Sequence, residues 1–466
     1  MAMSLFRTKS IEELIRTANE GRTLKKTLRT WDLTMLGIGA IIGTGIFVLT
    51  GEAALTAGPA LVISFLLSGV ACAFAALCYA EFASLVPVSG SVYTYSYATL
   101  GEFIAWLIGW DMILEYALAT SAVSAGWSGY AQSLLKGFGV EIPTAFQAAP
   151  GAISGVTTYF NLPAFLIVIA VTTLLSVGIK ESTRVNNIMV VIKVAVVLLF
   201  IAVGVSYVRP VNWQPFMPFG WKGVVEAAAL VFFAYIGFDA VASAAEEARD
   251  PRRDLPRGII YSLLVCTLLY VVVSSVMTGI VEYPQFEGVA HPVSLALQVA
   301  GQDWVAGFID LGAILGMTTV LIVMTYGQTR IFFAMSRDGL LPKMFSSVHP
   351  KFQTPVRSTW LVGIISSLVG GFIPLGQLAE LANIGTLSAF TLVSVAVLVL
   401  RKTQPDLPRV FSVPGVPYVP LLSILFCLTL MTQLAAMTWY AFIIWIGIGL
   451  LVYFLYSRHH SVLHEK

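Results

Sequence analysis

Along the 466 residues, apolar side chains run in stretches of about 20, the length that crosses a bilayer as a helix. Such stretches fall near 32–56, 59–85, 97–131, 161–179, 184–206, 220–246, 256–281, 301–335, 358–374, 379–400, 417–435 and 438–457. Polar residues collect in the short segments between them. The pattern predicts an all-α polytopic membrane protein of about twelve transmembrane helices. Two stretches depart from plain hydrophobicity. "GIGAIIGTGIF" (37–47) carries four glycines, and "FFAYIGFDAVASAAEE" (232–247), five spans later, carries Gly237 and Asp239.

Each glycine costs roughly 1 kcal/mol against alanine inside a helix, so something must offset about 4 kcal/mol in the first of these segments. A dinucleotide loop is excluded, because the third glycine comes one position late and no βαβ unit fits around it. Gly39-Ala-Ile-Ile-Gly43 is a GxxxG, which lets helices pack closely. The remaining reading is an unwound segment splitting the span into two half-helices. Glycine-interrupted stretches at corresponding positions of two halves point to a transporter site built from repeats. Unwinding exposes N–H and C=O groups that lipid cannot satisfy, so they must face a cavity or a ligand. The half-helix starting near Gly43 offers N–H groups and a positive dipole end to a carboxylate. Carbonyls at 41–42 and 233–236 suit an ammonium. An α-amino acid carries both charges.

Composition supports the membrane reading: 57% of residues are hydrophobic and 11% charged, against about 25% charged in soluble domains. Net charge, +2, is uninformative, but its distribution is not. With alternate connections assigned to two sides, 23 of the 27 Lys and Arg fall on the side of the N-terminal tail; only Lys136, Arg209 and Lys222 fall on the other. The positive-inside rule then places both termini in the cytoplasm and the chain in the cell membrane. The first 31 residues read as an amphipathic cytoplasmic tail with a Ser10–Glu13 capping box, and no cleavable signal pattern precedes the first span. Cys72, Cys78, Cys266 and Cys427 fall in apolar spans as core thiols; His459, His460 and His464 are too sparse to argue for a metal. Interleaved acids and prolines make "EEARDPRRDLPR" (246–257) a self-paired loop, beside anionic lipid headgroups, rather than a nucleic-acid patch.

"GIGAIIGTGIF", "PVSGSVYTY" (87–95), "EEARDPRRDLPRGI" (246–259) and "FAMSRDGLLPKMFSSVHPKFQTPVRS" (333–358) resemble the amino acid–polyamine–organocation superfamily, in its bacterial cationic amino acid transporter-like branch. The resemblance spans about residues 30–457 and implies a LeuT-type fold. Spans one to five (32–206) and six to ten (220–400) would be inverted repeats, followed by two helices (417–457) and a short cytoplasmic tail (458–466). Carried over by motif, Ile41, Ile42, Gly43, Thr44 and Gly45 would contact substrate carboxylate and amine. Phe233, Ala234 and Ile236 would offer carbonyls to the amine, with the Phe233 ring closing over the substrate.

Ionisable groups inside a span are functional candidates. Lys193, nine residues from Arg184, reaches about 13 Å into the membrane among valines. In sodium-coupled relatives of this fold a cation sits beside the first break; an ammonium about 4 Å from that position repels Na⁺ by about 4 kcal/mol at a dielectric of 20. A proton is therefore the expected coupling ion, and no other cofactor is implied. Asp239 and Glu115 are the carboxylates expected to complete the proton route, Glu115 being chosen over Asp111 on the same helix face. A structural interhelical hydrogen bond is the alternative for each. Glu81, near a cytoplasmic helix end, is expected to help lock the inner gate.

The expected function is secondary uptake of L-amino acids with protons. Amino acid or polyamine exchange, and a sensor that binds without transporting, are the alternatives. No H-E-x-x-H, nucleophile elbow or nucleotide-binding domain points to an enzyme. The largely apolar "TTVLIVMTYG" (318–327) in span eight favours neutral, alanine-like substrates over cationic ones.

Overall fold

The computed structural model describes residues 7–9, 27–85, 91–153, 155–178, 183–244, 247–352, 354–407 and 409–463. The Ser10–Glu13 box, residues 87–90 of "PVSGSVYTY", Glu246 and His464 lie outside them. Among the described residues the regular structure is helical: α1 Thr30–Ile41, α2 Thr50–Ala57, α3 Leu61–Leu85, α4 Ser91–Thr99, α5 Glu102–Gly137, α6 Leu162–Val177, α7 Thr183–Gly204, α8 Gly220–Val231, α9 Ala240–Ser243 and α10 Pro251–Ile280. Then follow α11 Pro292–Val299, α12 Asp303–Arg337, α13 Val356–Phe372, α14 Leu375–Thr403, α15 Tyr418–Met431, α16 Ala436–Val452 and α17 Arg458–His460.

Among the described residues, seven helical runs are long and apolar enough to cross a membrane, and three shorter apolar helices accompany them. These, with the two interrupted segments, cover every apolar stretch read from the sequence, and the chain is a multi-pass membrane protein. One boundary moves. The expected span 97–131 starts inside α4, which ends at Thr99; Gly101, with φ +94°, turns the chain into α5 at Glu102.

Both interruptions are present. α1 stops at Ile41, Ile42 is extended (φ −73°, ψ 105°), and a π-helical turn, Gly45–Leu49, leads into α2. α8 stops at Val231, a 3₁₀ turn runs through Phe232–Tyr235, and Ile236 is extended before α9. Gly237, at φ +122°, makes the sharpest bend of the second break, and its missing Cβ would lie 2.8 Å from the Ala40 carbonyl oxygen.

Helices α3, α5, α7, α10, α12 and α14 surround the two breaks and tie them down with side-chain hydrogen bonds. Ser64 and Ser68 of α3 donate to the Val224 and Ala228 carbonyls of α8, and Asn383 of α14 donates to those of Ala229 and Leu230. Helix α16 is held by indoles: Trp106 and Trp110 donate to the Gly449 and Trp445 carbonyls, and the Trp110 and Trp445 rings stack 4.6 Å apart.

At the end of the bundle rich in basic residues, Glu81 is almost fully buried. It accepts from both Arg401 (2.7 and 3.0 Å) and Arg409 (3.1 Å) and from the Val413 N–H (2.7 Å). This clamp fastens α3 to the end of α14 and the segment before α15. Lys9 pairs with Asp338 at 2.5 Å, and Tyr93 donates to the other Asp338 oxygen. The acidic–basic loop folds on itself and onto α1: Asp254 accepts from the Asp250 N–H and from Thr30, and the Arg249 N–H donates to the Leu28 carbonyl.

Breaking a buried pair by removing one partner costs about 3–5 kcal/mol. Glu81→Ala is therefore expected to lower the melting temperature in detergent well below that of Glu81→Gln, which keeps part of the hydrogen bonding. Equal melting temperatures for both variants and the parent would show that the clamp contributes nothing.

Candidate functional site

The two breaks meet. A Cβ on Gly45 would stand 2.2 Å from the Ala234 Cα, so one interrupted backbone passes directly over the other. Gly37 is pressed against Ser262 (2.5 Å), Gly39 against Val190 (2.8 Å) and Gly43 against Val320 (3.3 Å). None of the four needs a positive φ. The glycines of "GIGAIIGTGIF" thus serve close approach, as the GxxxG reading required, and the chain is also unwound, as the transporter reading required. The two readings are not exclusive.

Where the breaks meet lies a cavity of about 10 Å³, room for about one water. The first break supplies Ala40, Ile41, Gly43, Thr44 and Gly45, and the second supplies Phe233 and Ile236. Ala119 and Val123 of α5 and Val320 and Met324 of α12 close the sides. The wall is apolar; polarity comes from the main chain. At the start of the second half-helix the first N–H groups have no intrahelical acceptor, and Gly43, Thr44 and Gly45 stand there on the cavity. Thr44 is further placed by a contact from its hydroxyl to the Met317 sulfur at 3.3 Å. Ile42 and Ala234, expected among the contacts, are buried but not on the cavity wall.

The expected free carbonyls are partly occupied. The Tyr270 hydroxyl of α10 lies 3.0 Å from the Ile41 oxygen and 2.9 Å from the Ala234 oxygen, and its single proton serves both. The Phe233 carbonyl accepts the Ile236 N–H at 3.2 Å. Sequence reading missed Tyr270, although a phenol in the apolar run of α10 must find a hydrogen-bond acceptor once buried. One hydroxyl thereby joins the two breaks.

Lys193 of α7 lies at 0% exposure and its ammonium donates to the Gly39 carbonyl at 2.6 Å. Gly39 is in the last turn of α1, where the helix dipole turns its negative end toward a cation. Gly316 of α12 leaves room for the lysine stem; a Cβ there would stand 3.2 Å from its Cγ.

The acids lie to the other side of the second break. Asp239, Glu115 and Asp111 are all buried. Tyr116 donates to Asp239 at 3.4 Å, and both Asp239 and Asp111 lie within electrostatic reach of Glu115. Asp111 packs on α14 where Gly385 removes a side chain, its Oδ1 lying 2.8 Å from the position of a Cβ. The sequence preference for Glu115 over Asp111 is a matter of neighbours rather than of burial.

Comparison with known proteins gives this arrangement a family. The model of the amino acid permease family matches residues 28–455. The chain is 65% identical over 465 residues to the branched-chain amino acid permease BcaP of Bacillus subtilis (strain 168), covering 100% of each. It is 57% identical over 463 residues to the methylthioribose transporter of the same organism, covering 99% of this chain and 100% of that one. It is also 40% identical over 412 residues to the vacuolar cationic amino acid transporter 4 of Arabidopsis thaliana, covering 86% of this chain and 68% of that one. The chain belongs to the amino acid permease family, within the amino acid–polyamine–organocation superfamily.

Proposed function

We propose that the protein is a secondary transporter that takes up L-amino acids with neutral, aliphatic side chains together with protons. It works in a twelve-span LeuT-type arrangement of two inverted five-helix repeats, with both termini cytoplasmic. The observation that carries this reading is the Lys193 ammonium, buried and bonded 2.6 Å from the carbonyl that ends the first half-helix. Substrate carboxylate would sit on the N–H groups of Gly43, Thr44 and Gly45. The substrate ammonium would use the second lone pairs of the Ile41 and Phe233 carbonyls, since each carbonyl oxygen has two. When Lys193 loses its proton, the bond to Gly39 weakens and the inner half of the first segment is released from α7. The proton thereby governs whether α1 is held in place. Asp239 and Glu115 would carry the released proton onward.

The side chain of the substrate meets Ala119, Val123, Ile236, Val320 and Met324, none of which can pair with a cation. Relatedness to a branched-chain permease supports the same aliphatic class. The methylthioribose transporter among the relatives makes one further ligand worth including in any competition series.

Three measurements test this. In proteoliposomes, an inward proton gradient should drive accumulation of labelled leucine or alanine, and Lys193→Met should abolish accumulation while leaving exchange against preloaded substrate. A Lys193→Met protein that still accumulates substrate in a pH-dependent way removes the lysine from the mechanism. Competition by the twenty amino acids and methylthioribose should rank leucine, isoleucine, valine and alanine first; arginine and lysine as best competitors would refute the aliphatic assignment, and methylthioribose alone would refute the amino acid. Gly45→Ala places a Cβ 2.2 Å from backbone, so a folded variant should lose uptake; normal transport would mean that the close crossing of the breaks is dispensable.

A further inference from the structure

At the end of the bundle away from the basic loops, the connection between α10 and α12 folds back over the first interrupted segment. Two glycines admit it. A Cβ on Gly51 of α2 would stand 2.8 Å from Pro292 at the start of α11, and one on Gly129 of α5 would stand 2.6 Å from Ala290. This connection is a lid seated on both the outer half of the first segment and α5.

Tyr130 lies at the joint. It is fully buried, and its hydroxyl donates to the Phe47 carbonyl at 2.5 Å, within the π-helical turn that begins the outer half-segment. The Tyr130 and Phe47 rings meet edge-on, with centroids 6.0 Å apart. The same ring meets the lid: it stands edge-on to the His291 imidazole, with centroids 6.3 Å apart. One side chain of α5 thus holds the moving segment by its hydroxyl and packs on the lid by its ring. Asp310 of α12 ties α12 to α5 nearby, accepting from Ser133 at 2.7 Å.

We propose that Tyr130 is the latch of the outer gate: a positioning residue whose hydroxyl bonds the outer half of the first interrupted segment, and whose ring packs on the external lid, only while that gate is closed. The role rests on the transport reading, because a gate needs an outward-open state in which Phe47 and α11 leave the phenol. Removing the hydroxyl weakens the closed state alone. A typical buried hydrogen bond makes that shift about five-fold in the open population.

The test is the reactivity of a reporter cysteine at Val48, which is buried beside Gly126 of α5. Whole cells expressing Val48→Cys are exposed to a membrane-impermeant maleimide; the four native thiols are buried and contribute little background. Adding Tyr130→Phe is expected to raise the labelling rate about five-fold. It should also lower the apparent KM for external substrate while lowering kcat, because binding competes less with closure and closure itself is slower. A residue that merely supported the fold would lower kcat with KM and labelling unchanged, and that result overturns the proposal. Should Tyr130→Phe fail to accumulate, Gly51→Ala tests the same joint from the lid side by wedging a Cβ against Pro292. Parental labelling in whichever variant folds overturns the latch. Uptake by the parent protein is measured in parallel; its absence would sink the transport reading and leave the labelling result as a statement about the joint.

Discussion

A main-chain carbonyl or N–H released from a helix inside lipid must find another partner, since an unsatisfied group there costs several kcal/mol. Every unusual feature near the centre of this protein answers that demand. Breaking two helices leaves carbonyls at Gly39, Ile41 and Ala234 that Lys193 and Tyr270 meet, while Ser68 and Asn383 hold carbonyls at the end of α8. The surrounding helices thereby acquire their polar residues, and the breaks acquire a fixed geometry.

Two kinds of partner do different work. Ser68 and Asn383 hold the end of α8 against α3 and α14, an arrangement suited to staying put. Lys193 and Tyr270 hold the first segment by side chains of other helices: an ammonium on the Gly39 carbonyl, and a single hydroxyl shared between carbonyls of both breaks. Tyr130 repeats the second pattern at the outer end, with Phe47 as its acceptor. Glu81, by contrast, is held by four hydrogen bonds from three residues.

The site itself is main chain walled by aliphatic side chains. Under the proposed function, main-chain atoms would recognise the part common to all α-amino acids, and the wall made by Ala119, Val123, Val320 and Met324 would meet the part that varies. A family built this way can change substrate by exchanging a few wall residues while keeping its machinery. Relatives named for branched-chain amino acids, cationic amino acids and methylthioribose are in keeping with that division.

The sequence by itself determined the helical membrane class, the stretches that become helices and the location of both breaks. These depend on local hydrophobicity and on glycine, which act over a few residues and are written in order along the chain. It also singled out Lys193, Glu115 and Asp239, because a charge amid apolar neighbours is conspicuous without any knowledge of what surrounds it. It did not separate close packing from unwinding at residues 37–47, nor show that Tyr270 claims the carbonyls of Ile41 and Ala234, nor that Ala119 and Val123 join the cavity wall. Those facts depend on which helices lie side by side and at what rotation. A bond between residues 229 positions apart, as from Tyr270 to Ile41, exists only once the bundle has closed around it.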